Sequence, residues 1–211
     1  MNYLAHLFLA GPDPYSRIGN LLGDLIKGNL SQDTTYYSEG IIQGIKLHRQ
    51  IDTFTDTHRI YLESKRRISP QQGLFSGIII DICYDHFLAN HWPKFSERQL
   101  SDFVADIYGL LESHQQILPT RLQQVLPKMV AEDWLGSYKT LSGLNLTFAR
   151  LARRLQGENH LPTAVEDIAN NYVELESDFL SFFPEEIGYT SSLTVRQMYP
   201  DYHDAESNNT S

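Results

Sequence analysis

The chain has 211 residues, 41% of them hydrophobic and 20% charged, enough to bury the core of one compact domain. A formal net charge of −9 and a pI near 5.3 exclude a nucleic-acid backbone as an evident partner, because that would need basic residues gathered on one face. The single cysteine, Cys83, excludes an internal disulfide and reads as a small buried hydrophobe among isoleucines.

Residues 2–10 predict a short buried helix, ended by Gly11-Pro12-Asp13-Pro14. This N-terminus lacks the basic segment of a secretory signal, and no apolar run approaches the roughly 20 residues of a membrane span. A cytoplasmic protein is expected, in which the sequons at Asn29, Asn145, Asn208 and Asn209 mean nothing. Residues 17–29 predict an amphipathic helix. Its apolar stripe is Ile18, Leu21, Leu22, Leu25 and Ile26, while Asn20, Asp24 and Lys27 share the other side. A solvated face is the ordinary reading of that side. Gly19 and Gly23 weaken this helix and allow another element to approach closely.

Residues 38–56 predict a longer helix. Ile41, Ile45, His48 and Asp52 fall at i, i+4, i+7 and i+11, a single stripe with Arg49 and Asp56 beside it. The stripe starts aliphatic and turns polar without leaving the core-facing side, as a helix does when it enters a site from its apolar end. Residues 59–68 continue helically and carry Lys65-Arg66-Arg67 before Ser69-Pro70.

The stretch Ile78–Trp92 predicts a helix stopped by Pro93, apolar all around and therefore internal. It nevertheless carries Asp81 and Asp85 one turn apart, with His86 beside them. An unpaired buried carboxylate costs several kcal/mol, so these acids need a cation or a hydrogen-bond network. A buried salt bridge to an arginine explains them equally well on this helix alone. Beyond it, helices are expected at 96–117 and 119–139, at 145–156 with Arg150, Arg153 and Arg154, and at 163–183. The pattern is that of an all-α single-domain bundle over 1–200, followed by a polar, disordered tail at 201–211.

Histidine and carboxylate on core-facing helix stripes suit Mn²⁺, Mg²⁺, Fe²⁺ or Zn²⁺. One cysteine argues against structural zinc. The His-Glu-x-x-His helix, the Glu-x-x-His pair, the P-loop, the Gly-x-Gly-x-x-Gly turn and the Gly-x-Ser-x-Gly elbow are all absent from the sequence. An oxygen- and imidazole-ligated metal in a helical protein remains, able to activate water and neutralise a phosphoryl group.

Four sets of residues resemble one known family: Asn2-Tyr3-Leu4-Ala5-His6-Leu7; Gly19-Asn20-Leu21-Leu22-Gly23-Asp24; His48-Arg49-Gln50-Ile51-Asp52 with Asp56; and Asp81 with Asp85-His86-Phe87-Leu88 and His91-Trp92. Together, in this order and spacing, they resemble the acyl carrier protein phosphodiesterases, a divergent HD-type phosphohydrolase group. The resemblance implies an all-helical, HD-phosphohydrolase-like fold that is Mn²⁺-dependent, with Mg²⁺ or Fe²⁺ as substitutes. It implies removal of the 4′-phosphopantetheine arm from holo-acyl carrier protein (holo-ACP), within fatty-acid metabolism. One departure is visible: the core has Asp85-His86 in place of the adjacent His-Asp that names HD enzymes. The His-Asp dipeptide that does occur, His203-Asp204, lies in the polar tail and is taken as a decoy.

On this resemblance the metal is expected among His6, Asp24, His48, Asp52, Asp85 and His86, with Asp24, Arg49, Asp52 and Asp85 serving catalysis. Lys27 and Arg49 are expected on phosphate oxygens, and Asn2, Asn20, Asp56 and Asp81 as groups that orient the ligands. The carrier is acidic, so a basic docking patch is expected at Lys65-Arg66-Arg67 or at Arg150, Arg153 and Arg154. Two other readings stay open: a phosphohydrolase acting on a small nucleotide, and a helical adaptor whose buried acids pair with Arg49 or Arg59.

Overall fold

A computed structural model of the protein describes residues 1–28, 30, 36–68, 70–155 and 159–198, with 194–198 as backbone only. Among them are ten α-helices and no strand: α1 (Tyr3–Leu9), α2 (Pro14–Leu22), α3 (Glu39–Thr57), α4 (Arg59–Arg67), α5 (Ser76–Asn90), α6 (Leu100–Ser113), α7 (Thr120–Ala131), α8 (Leu141–Ala152), α9 (Ala164–Asn170) and α10 (Tyr172–Met198). The all-α expectation holds. No described helix is long and apolar enough to cross a membrane. The tail with His203 and Asp204 lies outside the described residues, as does Asn29.

Helix α5 is the axis of the bundle. Ile79, Ile80 and every residue from Ile82 to Ala89 are buried, as its all-round apolarity requires. Helices α1, α4, α8 and α10 pack around it. Phe179 and Phe182 of α10 meet Tyr84 and Phe87 edge-on or tilted, with centroids 5.4–5.9 Å apart, and Phe183 stacks on Phe179 at 5.1 Å.

Helices α2 and α3 form the tightest pair, and the reason is two glycines. A Cβ on Gly19 would fall 2.2 Å from the Ile41 carbonyl oxygen; one on Gly44 would fall 2.5 Å from that of Ser16. The backbones therefore cross in direct contact, which brings the end of α2 against the polar half of α3.

Several boundaries differ from the sequence expectation: the helix expected over 96–117 spans Leu100–Ser113, that over 119–139 ends at Ala131, and that over 145–156 spans Leu141–Ala152. The second helix stops at Leu22, so Asp24 and Lys27 sit in the turn and loop beyond it rather than on its polar side. Asn20, grouped with them by periodicity, is fully buried. The last helix breaks at Asn171, and α10 then runs on through Pro184 to Met198, well beyond residue 183.

Candidate functional site

Three short segments converge: α1, the end of α2 with the turn after it, and the polar half of α3. His6 faces inward from α1 and His48 from α3; both are buried, and their rings stack with centroids 3.8 Å apart. Asp52, one turn beyond His48, straddles them: Oδ1 lies 3.1 Å from His6 Nε2 and Oδ2 3.0 Å from His48 Nε2. Asp24, in the turn after α2, comes to 3.4 Å from His48 Nε2. The side chains of Asp52 and Asp24 are 40% and 53% exposed, so the site opens to solvent on their side. A ligand atom from each of His6, His48 and Asp52 falls within 4.8 Å of the other two.

Gly23 makes room for this. Its missing side chain is where the His48 ring lies, since a Cβ there would sit 2.1 Å from His48 Cγ. Asn20 approaches from beneath, its Oδ1 3.3 Å from His6 Nδ1.

The electrostatics follow from burial and from these partners. Burial disfavours charge on both imidazoles. For His6 it prevails, helped by the neighbouring His48, and the pKa falls. For His48 the hydrogen bonds and charges of Asp24 and Asp52 outweigh burial and raise the pKa to about 9. Asp52 is held well below the ordinary carboxylate range: burial pushes it up, but its hydrogen bonds to His48 and His6 pull harder. Burial also opposes the Asp24 charge, and His48 more than offsets it.

The other expected residues lie in different surroundings. Asp85 is fully buried and caps α1 from outside that helix: its Oδ2 accepts from Leu4 N (2.8 Å) and its Oδ1 from Ala5 N (3.0 Å). Burial pushes its pKa up to about 7 against the pull of those donors. It thus anchors the helix that carries His6, with a negative group at an N-terminus where unsatisfied N–H groups point. His86 faces elsewhere, with Nδ1 on the Tyr138 carbonyl (2.7 Å) and Nε2 on the Tyr172 hydroxyl (2.9 Å). Asp81 accepts from the Tyr61 hydroxyl (2.8 Å) and from the Met1 ammonium (3.0 Å), which itself lies 3.9 Å from Asp52. Asn2 donates to the Tyr138 hydroxyl, and Asp56 is exposed. Arg49 donates to the Ile26 carbonyl (3.0 Å), tethering the loop after α2, where Lys27 is exposed. Of the docking candidates, Arg67 pairs with Asp178, and Arg150 pairs with Glu132 while lying over the Trp134 ring. Lys65 lies over Tyr61, and Arg66, Arg153 and Arg154 are exposed. Of the expected site residues, then, His6, Asn20, Asp24, His48 and Asp52 come together.

Sequence reasoning missed Glu186. It is wholly buried beside this region, accepting from the Thr55 hydroxyl, and burial raises its pKa to about 8. An acid inside the apolar run Phe182, Phe183, Ile187 was the available signal.

A family model described as acyl carrier protein phosphodiesterase matches residues 1–186. Among named relatives, the acyl carrier protein phosphodiesterase of Yersinia pestis is 33% identical over 87% of this chain and 94% of its own length. That of Serratia proteamaculans is 32% identical over 88% and 95%, and that of Photorhabdus laumondii 30% over 87% and 92%. No solved structure matches the chain. With three separated sequence blocks folded into one pocket and the family model spanning nearly all of that fold, the chain belongs to the acyl carrier protein phosphodiesterase family.

Proposed function

We propose that this protein is a divalent-metal-dependent phosphodiesterase of HD type that releases the 4′-phosphopantetheine arm from cytoplasmic holo-ACP. His6, His48 and Asp52 would hold the ion, Mn²⁺ in our reading. The observation that carries this is the convergence of those three ligand atoms in a chain matched by the family over residues 1–186.

The donor set fits such an ion on two counts. Two imidazoles and a carboxylate without thiolate suit Mn²⁺ or Fe²⁺. Moreover, neutral His6 has one proton but faces two acceptors, Asn20 Oδ1 and Asp52 Oδ1. With the proton on Nδ1 toward Asn20, Nε2 turns a lone pair onto the Asp52 oxygen, a repulsion that a cation between them removes. When bound, the ion would lower the pKa of water and neutralise phosphoryl charge.

The chain's own groups do the rest. Asn20 fixes the His6 ring. Asp24, ionised and exposed at the mouth, is placed to accept a hydrogen bond from a water that attacks phosphorus. The bond from phosphorus to the carrier's seryl oxygen then breaks, and that oxygen takes up a proton, leaving apo-ACP and free 4′-phosphopantetheine. The adaptor reading loses its partners: Arg59 pairs with Glu63 and Arg49 with a backbone carbonyl, not with the clustered acids.

The test is intact-mass analysis of holo-ACP after incubation with the pure protein and Mn²⁺. Loss of the arm, abolished by EDTA and restored by Mn²⁺, is expected. An unchanged carrier mass, or full turnover after thorough chelation, would overturn the proposal; turnover of free nucleotides instead would favour the small-substrate phosphohydrolase.

A further inference from the structure

Two cavities adjoin near the site, and Asp24 lines one of them. The smaller, about 110 Å³, is lined by Asp24 together with Asn2, Tyr138 and Thr147. The larger, about 330 Å³, is an open groove with an apolar floor of Leu21, Leu25, Leu122, Val125 and Met129. Tyr3, Trp134 and Arg154 belong to both and form the wall between them. The groove thus adjoins, across that wall, the cavity that the exposed Asp24 lines.

Its rim is basic. Arg121 and Lys128 of α7 and Arg154 beyond α8 all line it, in a chain whose net charge is −9. Among the described residues no carboxylate ion-pairs with Arg121 or Arg154, and Lys128 has only Glu132, at 3.7 Å just past the end of α7. The Tyr3 hydroxyl pKa is raised chiefly by burial and further by Asp24, while Arg154 and Arg121 lower it, so rim and site act on one phenol. Arg150 contributes differently: paired with Glu132 and 4.6 Å from the Trp134 ring centroid, it props the shared wall.

An apolar floor bordered by an excess of cations is complementary to a helix that presents apolar side chains flanked by carboxylates. We infer that this groove docks the acidic face of the carrier protein, with the smaller cavity leading its phosphodiester toward Asp24; the inference rests on the function proposed above. Of the two patches expected from sequence, Lys65-Arg66-Arg67 line neither cavity, whereas Arg150 and Arg154 of the second do; the inference keeps Arg154 and adds Arg121 and Lys128.

The test is the double reversal Arg121→Glu/Lys128→Glu, with Lys65→Glu/Arg66→Glu as the comparison. Three quantities are read: anisotropy of labelled apo-ACP binding at low salt, KM and kcat on holo-ACP, and hydrolysis of bis(4-nitrophenyl) phosphate with Mn²⁺. The groove reversal should weaken carrier binding and raise KM at least about tenfold, with kcat and the small diester little changed. The comparison variant should behave as wild type. Equal affinity for wild type and groove reversal, or a loss confined to the comparison variant, overturns the docking site. So does a concentration-dependent dimer that the groove reversal abolishes while carrier binding persists. The two proposals fail separately. Carrier binding that the groove reversal removes, without turnover by wild type, supports the dock and refutes the reaction. Turnover with no effect of the reversal does the opposite, and neither binding nor turnover by wild type refutes both.

Discussion

Replacing Gly23 by alanine sets two effects against each other. The residue is in right-handed helical conformation, φ −53° and ψ −41°, so alanine incurs no backbone strain. Considered as backbone alone, the change should stabilise by about 0.5–1 kcal/mol. The new Cβ, however, would lie 2.1 Å from His48 Cγ and 2.6 Å from its Cβ, where carbons need about 3.5–4.0 Å. These atoms are at the root of the side chain, so the imidazole cannot swing clear; ring and helix must separate by roughly 1 Å or more. Overpacking of this kind costs about 1–3 kcal/mol, so the steric effect prevails. The displaced ring also leaves its 3.0 Å contact with Asp52, and a misplacement of about 1 Å can lower turnover ~100-fold. Gly188→Ala is the control, because a Cβ there meets nothing within 4 Å, and it should show the backbone gain alone. Urea denaturation measures stability, and Mn²⁺ titration with holo-ACP turnover measures the site. A Gly23→Ala protein with wild-type metal affinity and turnover would refute the assignment of His48 to the site.

Other predictions address the remaining groups. His48→Ala should lower Mn²⁺ affinity and turnover by more than about 100-fold while circular dichroism stays native; retained turnover would relocate the site. Asp85→Ala orphans the buried Leu4 and Ala5 N–H groups and should cost about 3 kcal/mol in urea denaturation. A stable Asp85→Ala protein that simply loses its metal would make Asp85 a ligand instead. Glu186 has its folded pKa raised from 4.5 to about 8 by burial, which outweighs the nearby Met1 ammonium and is reinforced by Asp81 and Asp52. The stability it contributes is fully present below pH 4.5 and lost as pH rises through about 8. Glu186→Gln should remove that decline, an effect of up to ~5 kcal/mol, and be the more stable protein at pH 8; parallel stability–pH curves for the two proteins would contradict this.

Much of the fold was legible because helical periodicity is a local property. The stripe Ile41, Ile45, His48, Asp52 announced both the helix and the face it buries, and α3 is found within a residue of its expected ends. The all-round apolarity of α5 likewise told that it lies inside. The end of α2 was less legible: the apolar pattern continues through Leu25 and Ile26 although the helix stops at Leu22, because the tight crossing at Gly19 and Gly44 and the His48 ring against Gly23 govern the chain's path there.

The sequence alone determined the chemistry available, namely histidines and carboxylates on core-facing stripes, and the family through its spaced blocks. Only the tertiary structure decided which of those groups act together. Asp85 was expected among the metal ligands and Asp81 among the groups that orient them, because buried acids demand partners; their partners are the N–H groups of α1, the Tyr61 hydroxyl and the Met1 ammonium. A carboxylate's need for compensation is visible in sequence; whether a helix N-terminus, a phenol or a metal supplies it depends on residues about 80 positions away. The groove beside Asp24 was invisible for the same reason: its walls come from α1, α2, α7 and the segment beyond α8, which periodicity describes separately and only packing brings together.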